Sequence, residues 1–146
     1  MPTSERSVAV QRRTVSATSR TRGHFEFTNG ALTVQSSREG ERGVRAVDLL
    51  LASLAMCVAG TVRAYAEHHG VDGLLSVSVD ATGEEVGPPS RLATATIEIR
   101  LDGELSDDER TRLLRAGTHC KIHTTLTRGV DVEFLQVHAR PSAGLS

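Results

Sequence analysis

Aromatic residues are scarce in this chain of 146 residues: they make up 3% of it, and tryptophan is absent. This scarcity argues against a platform that stacks on bases or sugars. Lysine is nearly absent too, since Lys121 is the only lysine among 17 basic residues. The formal net charge of -1 excludes a global basic field that would bind nucleic acid.

Long hydrophobic runs are missing as well. The most apolar run, LLLASLAMCVAGTV from Leu49 to Val62, spans 14 uncharged residues, whereas a membrane-spanning helix needs about 18 or more. We interpret this run as part of a buried core helix and expect no membrane partner. The first residues contain no long apolar segment of the kind that a secretory signal needs, so we expect a cytoplasmic protein with reduced thiols.

Cysteine is the third scarce residue, with only Cys57 and Cys120. Their wide separation in the sequence excludes a CxxC redox motif and a compact zinc knuckle. In a reducing compartment a structural disulfide is disfavoured. The two cysteines therefore indicate either core packing or redox chemistry.

The hydrophobic patterns predict one domain over residues 13–140, with polar tails over 1–12 and 141–146. The predicted order of elements is β-β-α-β-β-α-α-β, which is an α+β fold. An Asn29-Gly30 pair between two β-rich runs is typical of a hairpin and predicts one near the start of the domain.

A charged loop over residues 37–45 leads into a long helix, predicted from Ala46 to about His69 and closed by Gly70. The first two-thirds of this helix is apolar almost all round, which indicates burial on every side. A domain of this size rarely encloses a helix alone, so we expect a second subunit to complete the burial.

The second half of the chain alternates between strands and short helices. Ser106 and Glu109 form a capping-box pattern that opens one helix, and a second short helix is predicted around Cys120 and stopped by Gly129. The predicted strands of this half cover residues 74–81, 92–101 and 130–137.

Cys57 lies near the centre of the long apolar helix, and two interpretations of it stay open. A free cysteine is among the most buried residue types, so Cys57 can be core packing. Apolar surroundings raise the pKa of a thiol, so a reactive Cys57 needs a cation brought to it. The helix itself supplies no cation before Arg63.

Cys120 lies in the segment HCKIH, beside His119 and Lys121, where positive charge and the start of a helix both lower the pKa of a thiol. On these grounds it looks superficially like the more activated thiol. His119 and His123 stand four residues apart and could share a metal with Cys120, although such pairs often arise by chance. The simpler interpretation is that these residues are ordinary side chains of a short helix and have no chemical role.

Three charged residues are candidates for supporting roles. Asp48 precedes Cys57 by nine residues, which is half a turn around a straight helix, so it interacts most simply with the helix dipole. A role beside Cys57 would need an intermediary such as an arginine. Arg20 and Arg22 lie at the edge of the predicted N-terminal hairpin and could reach another element, although a solvated hairpin end explains either of them.

The segment VDLLLASLAMC, which ends at Cys57, resembles the helix pattern xELLLAALxxC of the OsmC/Ohr (osmotically inducible protein C / organic hydroperoxide resistance) family. The segment HCKIHTTL resembles the second cysteine segment of that family. The spacing of the cysteines, the two strands between them and the capping-box helix match as well. The resemblance covers about residues 14–137.

This resemblance implies an α+β fold of the OsmC type, with a long buried central helix, antiparallel β-sheets and an intertwined homodimer. It also implies a thiol-dependent peroxidase that acts on organic hydroperoxides, needs no cofactor or metal and is restored by a dithiol reductant. Cys57 would be the peroxidatic cysteine and Cys120 the resolving one. An arginine of the hairpin, Arg22 or Arg20, would contact the thiolate, and Asp48 stands where the family carries the glutamate that holds this arginine.

The chain departs from the family pattern at three places: Asp48 is one methylene shorter than glutamate, Lys121 replaces a usual proline, and residues 45–47 replace usual glycine and proline residues. Two other functions therefore stay open. The same fold could bind a hydrophobic ligand without turnover, or it could serve as a redox sensor or zinc site built on Cys120.

If the protein is a peroxidase, an apolar site walled by Leu, Val and Met favours an alkyl or lipid hydroperoxide as its substrate.

Overall fold

The computed structural model describes residues 10–37 and 43–135, and these fall into two compact units divided after Leu50. Most of the predicted tails and of the charged 37–45 loop lies outside the described residues. In chain order the elements are β1 (Ser16–Thr21), β2 (His24–Thr28), β3 (Thr33–Ser37), α1 (Ala46–His68), β4 (Leu74–Val86), β5 (Arg91–Gly103), α2 (Asp107–Gly117) and α3 (Lys121–Arg128).

The first unit contains an antiparallel sheet of three strands in the order β1-β2-β3. Asn29 shapes the predicted hairpin, because its Oδ1 accepts hydrogen bonds from the backbone N–H groups of Ala31 and Leu32, both at 3.0 Å. Gly30 has a φ of 92°, which a residue with a Cβ rarely adopts. The hairpin is confirmed, but the sheet has one strand more than predicted, since the loosely alternating segment before Arg22 forms β1.

Helix α1 begins and ends close to its predicted bounds. At its start, Asp48 Oδ2 accepts a hydrogen bond of 2.8 Å from the backbone N–H of Arg45, one of the donors that the first turn leaves without a helical partner. At its end, Gly70 adopts a left-handed φ of 64° and the N–H of Val71 donates to the carbonyl of Ala66 at 2.9 Å. This closure is a Schellman-type cap.

The prediction that α1 is buried on every side, with a second subunit completing the burial, is not met by this chain alone and stays a prediction. Its buried residues lie on one stripe at intervals of four: Leu54, Val58, Val62 and Ala66. Met56, on the opposite side, is 74% exposed. The sequence pattern shows which side chains of α1 are apolar, but burial also needs another surface that packs against them. The described residues supply such a surface only along the stripe that contains Leu54 and Val58.

By length and composition, α1 could also cross a membrane, because the mean hydropathy of its apolar 18-residue window is 1.6. The core helix of a soluble protein passes the same test, so this is weak evidence for a membrane span. The absence of a membrane partner stays a prediction.

The second unit contains the antiparallel pair of β4 and β5. Both strands are confirmed and are longer than predicted, with 13 residues each. In the register, Val79 lies opposite Ile99 and Ala81 opposite Ile97. The isoleucines and Val79 pack against the buried stripe of α1, which is the half-buried arrangement that their alternation predicts.

Helix α2 begins with the predicted capping box. The Ser106 hydroxyl accepts from the N–H of Glu109 at 3.1 Å, and the Glu109 carboxylate accepts from the N–H of Ser106 at 2.9 Å. At the other end of α2, Gly117 is buried against α1 and β5: a Cβ built there would lie 2.9 Å from Ile99 Cδ1 and 3.1 Å from Val62 Cγ2. The absence of a side chain at Gly117 thus permits the close approach that precedes Cys120.

The last predicted strand, over residues 130–137, does not form within the described part of the chain. Residues 130–135 have no regular secondary structure, and residues 136 and 137 lie outside the described residues. Val132 and Phe134 are 73% and 93% exposed. A strand needs a neighbour for its backbone groups, and no described strand pairs with this alternating segment.

Candidate functional site

Cys57 lies on the flank of the buried stripe of α1 and is partly buried. It packs beside the core residues Leu54 and Val58. One turn later, the hydroxyl of Thr61 donates a hydrogen bond of 2.7 Å to the backbone carbonyl of Cys57. Helix α1 therefore places this thiol at the edge of an apolar cluster, where it is only partly accessible to solvent.

Cys120 is the N-cap residue of α3 and is fully buried. Its Sγ accepts a hydrogen bond of 3.2 Å from the backbone N–H of His123, as a serine hydroxyl would at an N-cap. The close packing of Gly117 sets the end of α2, and the short turn after it brings Cys120 into the cluster of Leu54 and Val58.

The two cysteines meet in this cluster, although 62 residues separate them in the sequence. The two thiols influence each other there: the interaction lowers the pKa of Cys57 and raises that of Cys120. The first backbone N–H groups of α3, those of Lys121 and Ile122, also lower the pKa of Cys57. The start of α3 thus surrounds Cys57 with donors, a setting that favours a thiolate.

Burial raises the pKa of the Cys57 thiol, but the hydrogen bonds lower it more. They come from the backbone of Ile122, the Cys120 thiol, the backbone of Lys121 and the Thr61 side chain. The net effect is a pKa below that of an ordinary cysteine. The activation that was expected from a cation is thus supplied, within the described residues, by the N-terminus of a helix and a neighbouring thiol.

Cys120 shifts in the opposite direction. Burial raises the pKa of its thiol, the hydrogen bond from the His123 backbone lowers it, and the interaction with Cys57 raises it again, so the net pKa is above that of an ordinary cysteine. The impression from the sequence that Cys120 is the more activated thiol is wrong. The backbone of its neighbour His123 lowers this pKa, but burial and the adjacent Cys57 sulfur outweigh that effect.

The charged candidates are all exposed. Arg20 lies in β1 and Arg22 in the turn that follows. The Asp48 carboxylate accepts the hydrogen bond from the Arg45 N–H at the start of α1. The contact of either arginine with Cys57, and the role of Asp48 in it, stay predictions. Arg63 does not serve Cys57, because its guanidinium donates to the carbonyls of Leu74 and Leu75 at 3.1 and 3.0 Å.

The histidines beside Cys120 separate in the structure. His119 precedes α3, with its Nδ1 3.1 Å from the carbonyl of Arg115, whereas His123 belongs to the first turn of α3. Among the residues that the structure describes, no three His, Cys, Asp or Glu side chains are grouped so that they could hold a metal ion. The described residues thus give no support to the zinc alternative.

Sequence reasoning missed the donors around Cys57. Thr61 could have been found, because a threonine four residues after a cysteine in a helix bonds back to its carbonyl. The roles of Lys121 and Ile122 could not, because their backbone N–H groups reach Cys57 only through tertiary packing. Their side chains carry no signal of that role.

A family model described as OsmC-like protein matches residues 38–134. The chain therefore belongs to the OsmC/Ohr family, and the resemblance stated from its two cysteine segments is confirmed. A comparison of the sequence with curated proteins found no significant match.

Several solved structures share the fold. An OsmC-like protein of Mycoplasma pneumoniae superposes with a TM-score of 0.70 at 15% identity, covering 80% of this chain and 88% of that one. A Legionella pneumophila protein named an organic hydroperoxide resistance protein OsmC gives a TM-score of 0.63 at 20% identity, covering 82% and 91%. The organic hydroperoxide resistance protein OhrB of Bacillus subtilis gives 0.60 at 18% identity, covering 83% and 93%. At these identities the likeness establishes the α+β fold of the OsmC type.

Proposed function

We propose that this protein is a thiol-dependent peroxidase that reduces organic hydroperoxides, with Cys57 as the peroxidatic cysteine and Cys120 as the resolving one. The observation that carries the proposal is that Cys57 and Cys120 lie together in one apolar cluster and that the pKa values of their thiols shift in opposite directions. A peroxidatic cysteine attacks the peroxide as a thiolate, whereas a resolving cysteine stays protonated until the sulfenic acid has formed. Family membership and the names of two similar structures support the same class of chemistry.

In the first step, the Cys57 thiolate attacks the terminal oxygen of the hydroperoxide. The O–O bond breaks, the sulfur becomes a sulfenic acid, and the leaving alkoxide takes up the proton that the thiol released on ionisation and departs as the alcohol. In the second step, the Cys120 sulfur displaces the sulfenic oxygen, so that a Cys57–Cys120 disulfide forms and water is released. A dithiol then reduces this disulfide by thiol–disulfide exchange and becomes a disulfide itself.

The walls of the site favour an organic over an inorganic peroxide. Apolar side chains pack around the two sulfurs, contributed by α1, β4, β5 and α3: Leu54, Val58, Val79, Ile97, Ile99 and Ile122. Apolar walls gain free energy by covering an alkyl chain. We therefore propose alkyl or lipid hydroperoxides as substrates, in defence against oxidative stress.

The proposal includes three parts that extend beyond the cysteine pair. An arginine of the hairpin, Arg22 or Arg20, would steady the thiolate, with Asp48 as its carboxylate partner. The active form would be a homodimer, because Met56 and its neighbours leave an apolar side of α1 uncovered within the described chain. The location would be cytoplasmic, where reducing systems keep both thiols ready.

The test is to treat the reduced protein with one equivalent of cumene hydroperoxide and to map the thiols by mass spectrometry. We expect a Cys57–Cys120 disulfide, formed more slowly with hydrogen peroxide, and a trapped sulfenic acid on Cys57 in the Cys120→Ser variant. Arg22→Gln and Arg20→Gln are compared with Arg13→Gln, an exposed arginine before β1, as the matched control. Two unreacted thiols in a folded protein would contradict the proposal and favour the ligand-binding alternative.

A further inference from the structure

A cleft separate from the cysteine pair lies between the last turns of α1 and α2, with a volume of about 550 Å³. Helix α1 contributes Tyr65 and His68 to its wall, the turn after α1 contributes His69, and Arg112 and Arg115 line it from α2. Neither cysteine lines this cleft, and the chemistry proposed above uses none of these residues.

The cleft is cationic. None of its described lining residues is an aspartate or a glutamate. The Arg112 Nε donates to Asp108 at 2.9 Å, at an exposed ion pair that a ligand can compete with. Arg115 forms no ion pair with any described residue, so its guanidinium is available to an anion.

Two histidines also line this cleft. His69 Nδ1 lies 3.0 Å from the carbonyl of Tyr65, and His119 Nδ1 lies 3.1 Å from that of Arg115. Backbone carbonyls thus occupy one nitrogen of each ring. His68, which also lines the cleft, has no such contact among the described residues.

The rest of the wall suits an apolar group. The rings of Tyr65 and His69 stack with centroids 3.9 Å apart and planes 14° apart, so they cover each other's inner faces. The side chains of Ala64 and Ala116 add methyl groups and little bulk. A ligand with a charged end and an apolar body would match both parts of the cleft.

We propose that this cleft binds small organic carboxylates with an apolar body. The carboxylate would lie against Arg115 and Arg112, whose planar guanidinium groups match its geometry, and the apolar body would lie against Ala64, Ala116 and the Tyr65 ring. The site goes beyond the peroxidase proposal and does not depend on thiol chemistry.

The cleft nevertheless begins close to both cysteines. Thr61, which donates to the Cys57 carbonyl, lines it, and so does His119, the residue before Cys120. At 100° per residue, Cys57, Thr61 and Ala64 share one face of α1. The carboxylate can thus belong either to a peroxide or thiol that reacts at Cys57, or to a separate ligand.

The experiment is isothermal titration of the reduced full-length protein with octanoate and with octanamide, in a buffer free of phosphate and carboxylates. We expect octanoate to bind about tenfold more tightly than octanamide, since hydrogen bonds to a charged group are the stronger ones. Arg115→Gln should weaken octanoate by about tenfold on the same grounds, and Arg115→Lys should recover part of that loss. Arg91→Gln, an exposed arginine on β5, is the matched control and should leave binding unchanged.

Equal binding of octanoate and octanamide would overturn the proposal. So would an Arg115→Gln variant that loses stability in urea but binds octanoate like the unchanged protein, because Arg115 would then only balance the dipole of α2. The alkylation rate of Cys57 with and without octanoate separates the two sources of the carboxylate. Slower alkylation supports a cleft that serves a reacting substrate, and an unchanged rate supports a site for a separate ligand.

Discussion

Cys57 and Cys120 lie together in one apolar cluster, and their interaction lowers the pKa of the Cys57 thiol while it raises that of Cys120. Helix α1 contributes one sulfur and the N-cap of α3 the other. This asymmetry supports the proposal that the partly buried Cys57 is the nucleophile and the fully buried Cys120 the resolving thiol.

The first prediction concerns the pH dependence of Cys57. Because its pKa is lowered, its alkylation by iodoacetamide should reach half of the maximal rate at a lower pH than that of an unfolded cysteine. Cys120→Ala removes a donor and should move this midpoint to higher pH, and Cys120→Ser, which keeps a hydroxyl donor, should move it less. The measurement is the alkylation rate of Cys57 by mass spectrometry from mildly acidic to alkaline pH. A midpoint that does not respond to Cys120→Ala would refute the interaction between the two thiols.

A second prediction concerns Thr61. Thr61→Val keeps the shape of the side chain but removes the hydroxyl, so the pKa of Cys57 should rise, by less than in Cys120→Ala because Thr61 contributes least to the lowering of this pKa. The same alkylation profile measures this. Thr111→Val is the matched control, because Thr111 makes the same bond to a carbonyl four residues earlier, on α2. If both variants shift the profile equally, the effect is one of helix stability.

A third prediction concerns Gly117. An added methyl group there would clash with Ile99 and Val62, so Gly117→Ala should lower the free energy of unfolding by about 1–3 kcal/mol. Gly60→Ala is the control, because nothing described lies within 4 Å of a Cβ at that position, and alanine should stabilise the helix by up to about 1 kcal/mol. Urea denaturation measures both. A loss of stability in Gly60→Ala would show that a second chain packs against Gly60.

A fourth prediction concerns the capping box of α2. Ser106→Ala removes the acceptor for the Glu109 N–H and should lower the free energy of unfolding by about 1 kcal/mol. Ser106→Asp supplies another acceptor at the same place and should restore most of the loss. Equal losses in both variants, measured by urea denaturation, would mean that the side chain at this position does not cap the helix.

A fifth prediction separates two roles of Asp48. Asp48→Ala removes the acceptor for the Arg45 N–H and should cost about 1 kcal/mol of stability. Asp48→Asn keeps an acceptor but removes the charge, so it should keep the stability and lose peroxidase rate if Asp48 is the partner of the hairpin arginine. Unchanged rates in Asp48→Asn would leave Asp48 with a capping role alone.

Local signals in the sequence predicted most of the elements. The capping box at Ser106, the glycine after α1 and the Asn29-Gly30 turn each act over a few residues, so the information needed is contiguous. Two of the differences concern long-range partners. The apolar sides of α1 and the alternating residues 130–135 are real patterns, but burial and pairing depend on another surface that the pattern does not name.

By itself, the sequence determined the class of fold, the extent of α1 and which two residues are candidates for sulfur chemistry, because periodicity, caps and residue type are properties of short segments. Only the tertiary structure decided which thiol is the more acidic. The pKa of Cys57 depends on backbone N–H groups of Lys121 and Ile122, which lie more than 60 positions away in the chain. Close packing at Gly117, and not any neighbour in sequence, brings those donors to the sulfur.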